Sequence, residues 1–324
     1  MRVLVTGYAG YLGPVVVRQL HEAGHYVIGL DTGWFLPNYA EPPDVPDMAL
    51  FRDTRNVVGS WNNDADAIVH LAGLSNDPMG ALDEDLTHDI NVASTLRLGL
   101  GFGGRQVVAS SCSVYGQHPM ATEETLVAPL TAYARGKAVV DKGLKDTAAC
   151  LRFGTLYGYS PGHRLDLVVN RMTYDAVHEG RITVTGNAMR PLTHVEDAAA
   201  AIVFMVERDD VGIYNVVGGN SRVKDVAQDV ADAMWYSADT EVKFDYRDNG
   251  GDLRDYAADG SKIRQLGFSP SHALVPSLPE LIRKSRDLPG PRERYERLSA
   301  LQRLQTIGYL DASLRRPTKE SVAA

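Results

Sequence analysis

The sequence predicts an α/β protein: a doubly wound parallel sheet carrying a smaller C-terminal lobe. Three observations lead there. Short β-branched runs alternate with helix-period segments through the first half of the chain. A glycine-rich turn joins the first such run to the first helical segment. The length, 324 residues, exceeds what one small module needs and suits about two domains. Composition sets further bounds. Hydrophobic residues at 44% and charged residues at 23% are ordinary for a globular chain, so disorder and collagen-like repeats are poor readings. The 33 basic and 41 acidic residues leave a net charge of −8, which argues against nucleic acid as a partner. The longest apolar stretch, residues 198–206, is about half of a membrane span of roughly 18–20 residues, so no membrane partner is expected. Cys112 and Cys150 have no metal-ligand spacing. They suit a reducing, cytoplasmic setting, with no metal and no disulfide expected.

Taken in order, strands are expected at residues 3–5, 27–30, 67–71, 106–110 and 150–153, with helices at 11–23, 86–100 and 131–145. Residues 37–46 hold four prolines and read as a loop. Beyond Tyr159 come a helix near 167–177, another at 195–206 and a strand at 213–217. The expected division is a dinucleotide-binding domain over 1–159, to which the chain returns at about 192–218. A second lobe takes 160–191 and 219–290, and 291–324 forms a C-terminal helix and tail. Residues 291–305 are rich in charge and read as a solvated surface helix.

The turn Thr6-Gly7-Tyr8-Ala9-Gly10-Tyr11-Leu12-Gly13 carries the first functional signal. Gly7 permits the tight turn, Gly10 lets the backbone approach a pyrophosphate, and Gly13 lets helix and strand pack closely. The helix start then offers unpaired N–H groups and partial positive charge to phosphates. With Tyr11 and Leu12 this makes a Rossmann-type dinucleotide site. Asp31 ends the second strand about 20 residues on, where a carboxylate accepts from a ribose diol and repels a 2′-phosphate, favouring NAD over NADP. Asp53 can similarly meet the adenine edge.

Tyr133 and Lys137 stand four apart, on one face of a helix. A nearby ammonium favours the charged tyrosine and lowers its pKa, which suits a proton acceptor for a sugar hydroxyl. The strand before them turns abruptly from apolar to hydroxyl-rich at Ala109-Ser110-Ser111-Cys112-Ser113. Ligands of open α/β sheets bind at such carboxyl ends.

Together these pieces resemble the extended short-chain dehydrogenase/reductases, specifically the NAD-dependent nucleotide-sugar epimerase/dehydratase group. Further matching segments are His70-Leu71-Ala72-Gly73, Asn91, Leu151-Arg152-Phe153-Gly154-Thr155-Leu156-Tyr157-Gly158 and Arg190-Pro191-Leu192-Thr193-His194-Val195-Glu196-Asp197, spanning roughly Arg2 to Phe268. The resemblance implies Ser111 as the catalytic hydroxyl, four residues before the Tyr of Val114-Tyr115-Gly116. It implies Tyr133 as acid/base and Lys137 as the lysine that binds the nicotinamide ribose. It places Leu71 and Ala72 beside NAD. Ser75, Thr155, Asn170, Arg190, Asp252 and Arg254 become substrate contacts, with Arg190 on the diphosphate, and the second lobe becomes substrate-binding. A nucleotide-diphosphate sugar is the implied substrate and a homodimer, built through the helices of Asn91 and Tyr133, the implied assembly.

The departures bear on the reaction. Dehydrating members of the group carry an Asp-Glu pair just after the catalytic hydroxyl, where this chain has Cys112-Ser113. Members that invert C3 and C5 place a cysteine where this chain has Ser113, and Cys112, one residue out of phase, reads as packing. Hydride transfer at C4 remains. Asp31 tilts the reading towards a C4 epimerase that recycles NAD, ahead of a 4-dehydrogenase or 4-ketoreductase. A catalytically silent binding protein is disfavoured by the intact Ser-Tyr-Lys set. Thr155, where the group more often has asparagine, leaves the sugar's orientation open.

Overall fold

Val3 and Val5 pack on one side of the first strand and Leu4 on the other, and all three are buried. A strand buried on both faces belongs in the middle of a layered sheet. The computed structural model of the chain describes residues 1–57, 64–81, 83–248, 254–306, 310, 311 and 314. Its central sheet has seven strands: β1 (Arg2–Thr6), β2 (Tyr26–Asp31), β3 (Met48–Phe51), β4 (Ala67–His70), β5 (Arg105–Ser111), β6 (Ala149–Phe153) and β7 (Gly212–Val216). They lie in the order β7-β6-β5-β4-β1-β2-β3, and every pairing is parallel. The order reverses at β1 and β4, the switch point where a crevice opens at the carboxyl ends of the strands.

Helices cover both faces. On one lie α1 (Gly13–Glu22) and, later in the chain, the helix Val195–Val206. The latter is apolar nearly all round, and its alanines at 198, 199 and 201 are fully buried. On the other face lie α2 (Ser94–Leu100) and α3 (Ala132–Leu144). A separate core gathers α4 (Val168–Glu179), α5 (Val223–Ala238), α6 (Leu274–Arg286) and the paired strands Arg181–Thr185 and Lys243–Arg247.

Three expectations need correction. β3 falls just after the proline-rich loop, which masked it; its largely exposed side chains give little periodicity. The expected single helix over 86–100 is broken into Glu84–His88, a π-helical turn at Asp89–Ala93, and α2. The widened turn carries Asn91, whose side chain accepts from Leu74 N at 2.7 Å and donates to Leu74 O at 3.0 Å. Finally, residues 291–305 are not a solvated face. Helix α7 (Arg297–Thr306) docks on the body of the protein. Leu301, Leu310 and Leu314 are buried against Leu74, Met79, Leu86 and Ile90, and Tyr295 against Leu165 and Tyr174. The charges at Arg292, Glu293, Arg294 and Glu296 obscured the three-residue spacing of Tyr295, Leu298, Leu301 and Leu304.

Candidate active site

A cleft of about 690 Å³ crosses the carboxyl ends of the central strands. Gly7, Gly10, Tyr11, Leu12, Gly13, Asp31, Asp53, Leu71 and Ala72 line it, as do Ser75, Ser111, Tyr133, Lys137, Thr155, Arg190 and Arg254. Residues from nine separated segments of the chain thus share one wall.

The cofactor end is a cradle with no room for side chains. Gly7 has φ +74°, and a Cβ there would stand 2.5 Å from Ala72 N. A Cβ on Gly13 would stand 2.2 Å from Tyr8 O. The start of α1 has no side-chain cap, so its first N–H groups are left for an anion. That donor set fits the diphosphate of a dinucleotide. Asp31 closes the far side, accepting from Ala9 N at 3.0 Å and Gly33 N at 2.8 Å. Burial raises its pKa against those hydrogen bonds. A carboxylate retains lone pairs beyond these two bonds for a ribose diol. Asp53 caps a short turn and is held by Arg55, whose Nη2 donates to Oδ2 at 2.6 Å. Tyr11 does not offer its hydroxyl to the cleft; it donates to Gly158 O at 2.7 Å and ties the glycine turn to the next layer.

At the catalytic end, Thr131 caps α3, its Oγ1 accepting from Ala134 N at 3.2 Å. This fixes the face bearing Tyr133 and Lys137. Ser111, at the end of β5, lines the same cleft as Tyr133 and pulls the phenol's pKa down. Lys137 Nζ lies 5.7 Å from the centre of the Tyr133 ring and donates to Ala109 O at 2.6 Å. Burial pushes its pKa down to about 8, against the pull of Asp141 one turn below. The expected lowering of the Tyr133 pKa is not found. Burial first, and then the Asp77 carboxylate, raise it to about 12, outweighing Arg164 and Ser111, which pull it down. Cys112 is fully buried, its thiol donating to Arg152 O at 3.2 Å, as a packing residue would be.

The remaining expected contacts divide. Arg190 sits at the cleft with its guanidinium 5.6 Å from the centre of the Tyr256 ring, Nη1 donating to Met189 O at 2.9 Å and to Arg254 O. Arg254 pairs with Asp77. Ser75 Oγ accepts from Arg164 Nη1 at 2.8 Å. Asn170 is not brought to the cleft. It is fully buried, Oδ1 accepting from Gly158 N at 3.0 Å and Nδ2 donating to Gly158 O and Arg164 O at 3.2 and 3.1 Å. Its amide is consumed by the backbone it holds, so the nucleotide contact expected of it is withdrawn. Asp252 lies outside the described residues.

Among the lining residues that the sequence reading did not single out are Asp77, Arg164, Asp166 and Arg297. Arg164 and Asp166 pair at 2.8 Å, and Asn76 Nδ2 donates to the same carboxylate. The only signal in the sequence was the charge of Arg164 and Asp166 between Tyr159 and the helix expected near 167.

The comparisons with known proteins show the family and the fold. A model of the NAD dependent epimerase/dehydratase family matches residues 3–217. The chain is 26% identical over 336 residues to protein CapI of Staphylococcus aureus, covering 85% of this chain and 95% of that one. It is 26% identical over 245 residues to a probable UDP-glucuronate 4-epimerase of Rhizobium meliloti, covering 63% and 67%. Among solved structures, MoeE5 in complex with UDP-glucuronic acid and NAD superposes with a TM-score of 0.74 at 25% identity, over 88% of this chain and 99% of that one. The chain belongs to the NAD dependent epimerase/dehydratase family, and its cofactor is NAD.

Proposed function

We propose that the protein is a nucleotide-sugar epimerase that oxidises its sugar transiently at C4 and reduces it again on the opposite face. One observation carries the reading: Ser111, Tyr133 and Lys137 converge in a cleft whose own carboxylates are already engaged. NAD supplies the hydride acceptor and donor when bound. Tyr133, as its phenolate, takes the proton of the C4 hydroxyl as C4 is oxidised, while Ser111 Oγ holds the reacting oxygen. Lys137, charged below about pH 8, stabilises that phenolate. Tyr133 then returns the proton when the C4 carbonyl is reduced, so substrate and product are isomers.

Dehydration needs a second acid/base pair beside the tyrosine. Among the described residues the lining carboxylates are Asp31, Asp53, Asp77 and Asp166. Asp31 accepts from backbone N–H groups, and Arg55, Arg254 and Arg164 hold the other three. Cys112, turned into the core, offers no alternative. This favours chemistry confined to C4. A 4-dehydrogenase, which releases the keto sugar and NADH, or a 4-ketoreductase, which takes both up, uses the same residues.

Arg190 and Arg254 are assigned to the substrate diphosphate, for which guanidinium forks are suited. Ser75 and Thr155 line the cleft with hydroxyls for the sugar. Residues 1–159 and 192–218 form the cofactor domain in this reading, and 160–191 with 219–290 the substrate lobe. A cytoplasmic homodimer is part of the same proposal; Leu100 on α2 and Val139 on α3 are exposed on the helices expected to meet.

The test is NMR of the purified chain with UDP-sugars, UDP-glucuronate included, and trace NAD, with reduced cofactor followed by absorbance. Turnover to a C4-inverted sugar without net NADH is expected. Stoichiometric NADH with a 4-keto product would make it a dehydrogenase.

A further inference from the structure

Arg297, the first residue of α7, is 3% exposed and lines the cleft. Among the described residues its guanidinium makes one hydrogen bond, from Nη2 to Gly162 O at 2.7 Å. It lies 4.2 Å from the centre of the Phe35 ring. No carboxylate oxygen among the described residues comes within ion-pair distance, although the more distant Asp166 and Asp31 act on it electrostatically. The nearby Arg164 adds a second positive charge, and that one is paired. A buried cation is normally matched by an anion, and a ring face offsets less than its desolvation. The fold therefore leaves charge in this part of the cleft for a ligand to balance.

The position identifies which ligand. Gly162, which Arg297 grips, lies directly on the glycine turn: a Cβ there would stand 2.2 Å from Gly10 O. Ser160 Oγ donates to Tyr11 O at 2.6 Å, and Leu165 N donates to Tyr295 O at 3.0 Å. The C-terminal arm, the 160–165 segment and the start of α1 are thus stitched together around one space. Arg190 and Arg254 serve the other, sugar-side anion.

We propose that Arg297 is a ligand of the NAD diphosphate, so that the C-terminal arm completes the cofactor site opposite the uncapped start of α1. The arm's leucines dock it, and its arginine neutralises the charge that the backbone N–H groups alone leave unmatched. The inference concerns the cofactor and is independent of which sugar reaction follows.

Equilibrium titration of the full chain, freed of NAD, with NAD, ADP-ribose, ADP and adenosine tests it in wild type and in Arg297→Met and Arg297→Lys. The Met variant should fold, with a melting temperature equal to or above wild type, because it loses an unpaired buried charge. It should bind NAD, ADP-ribose and ADP at least tenfold more weakly, while adenosine affinity changes less than twofold. The Lys variant should fall between, keeping the charge without the fork. Unchanged NAD affinity in a folded Met variant would overturn the proposal. So would an equal loss for adenosine, or failure of the Met variant to fold, since either would make Arg297 a structural cation.

Discussion

Arg152 and Arg297 are equally buried, each 3% exposed, and the fold treats them oppositely. Arg152 Nε donates to Asp141 Oδ2 at 2.8 Å and its Nη1 to the Tyr115 hydroxyl at 2.9 Å. Tyr115 in turn donates to Asn215 Oδ1 at 2.7 Å. That network lies beneath Lys137 and ties α3 to β6 and β7. Arg297 has a backbone carbonyl and a ring face, and it opens on the cleft. Burial alone therefore says little about what an arginine does. A buried charge whose partners are all internal braces the scaffold, and one whose counterion is missing from the chain marks where a ligand belongs.

The comparison can be broken by substitution, and the largest effect belongs to the group that the Arg152 network supports. Tyr133→Phe should lower kcat about 10²–10⁴-fold, as loss of general acid–base catalysis does, with NAD affinity preserved in calorimetry. Activity near wild type would remove the proton-transfer role. Next, Arg152→Met strands Asp141 in the core and should destabilise the fold by about 3–5 kcal/mol in urea unfolding. Adding Asp141→Asn should recover much of that. If the single variant is as stable as wild type, the bracing role is wrong.

A smaller effect is expected at Asp31. Asp31→Ala should weaken NAD by about 1.5–3 kcal/mol, the range for hydrogen bonds to charged groups, and relax discrimination against NADP. An unaltered NAD/NADP ratio would discredit the ribose assignment.

The smallest effect concerns His163, fully buried between Tyr159 and Tyr295 beside the Arg297 arm. Burial first, and then Arg297, lower its pKa to about 3. The native ring stays neutral below pH 6.5 while the unfolded chain takes up a proton, so stability falls as pH falls from 6.5 towards 3. His163→Phe should remove about 1–2 kcal/mol of the acid loss between pH 7 and 5. Identical pH–stability curves would show that another group sets it. Above neutrality the sign concerns Lys137. Its ammonium is lost as pH rises through about 8, so kcat/KM should fall there. Lys137→Arg should remove that limb while lowering the rate.

What was legible in the sequence was local. The glycine turn, Asp31 and the Tyr133–Lys137 pair are each defined by spacing within one strand–helix unit, and helix geometry carries that spacing directly into space. The strand end at Ser110-Ser111 was legible because it changes from apolar to hydroxyl within two residues, and the resemblance singled out Ser111 there. Arg164, Asp166 and Arg297 were not, because their meaning depends on the docking of the C-terminal arm, a contact between segments some 130 residues apart. Asn170 misled for the opposite reason. Its type suited a ligand contact, but its amide is spent on the backbone of Gly158 and Arg164. The tyrosine's raised pKa was likewise hidden, since burial and Asp77 come from tertiary packing and the lysine alone from sequence.

The central claim, reversible hydride transfer at C4, is tested most directly with a nucleotide sugar deuterated at C4. A substrate identified in the UDP-sugar panel is incubated with the enzyme and unlabelled NAD in ordinary water, and the product is examined by NMR and mass spectrometry. Deuterium retained at the inverted C4 is the predicted result, because the same hydride leaves and returns within one binding event. Deuterium accumulating in released cofactor, or exchanged for solvent hydrogen at C4, would contradict it.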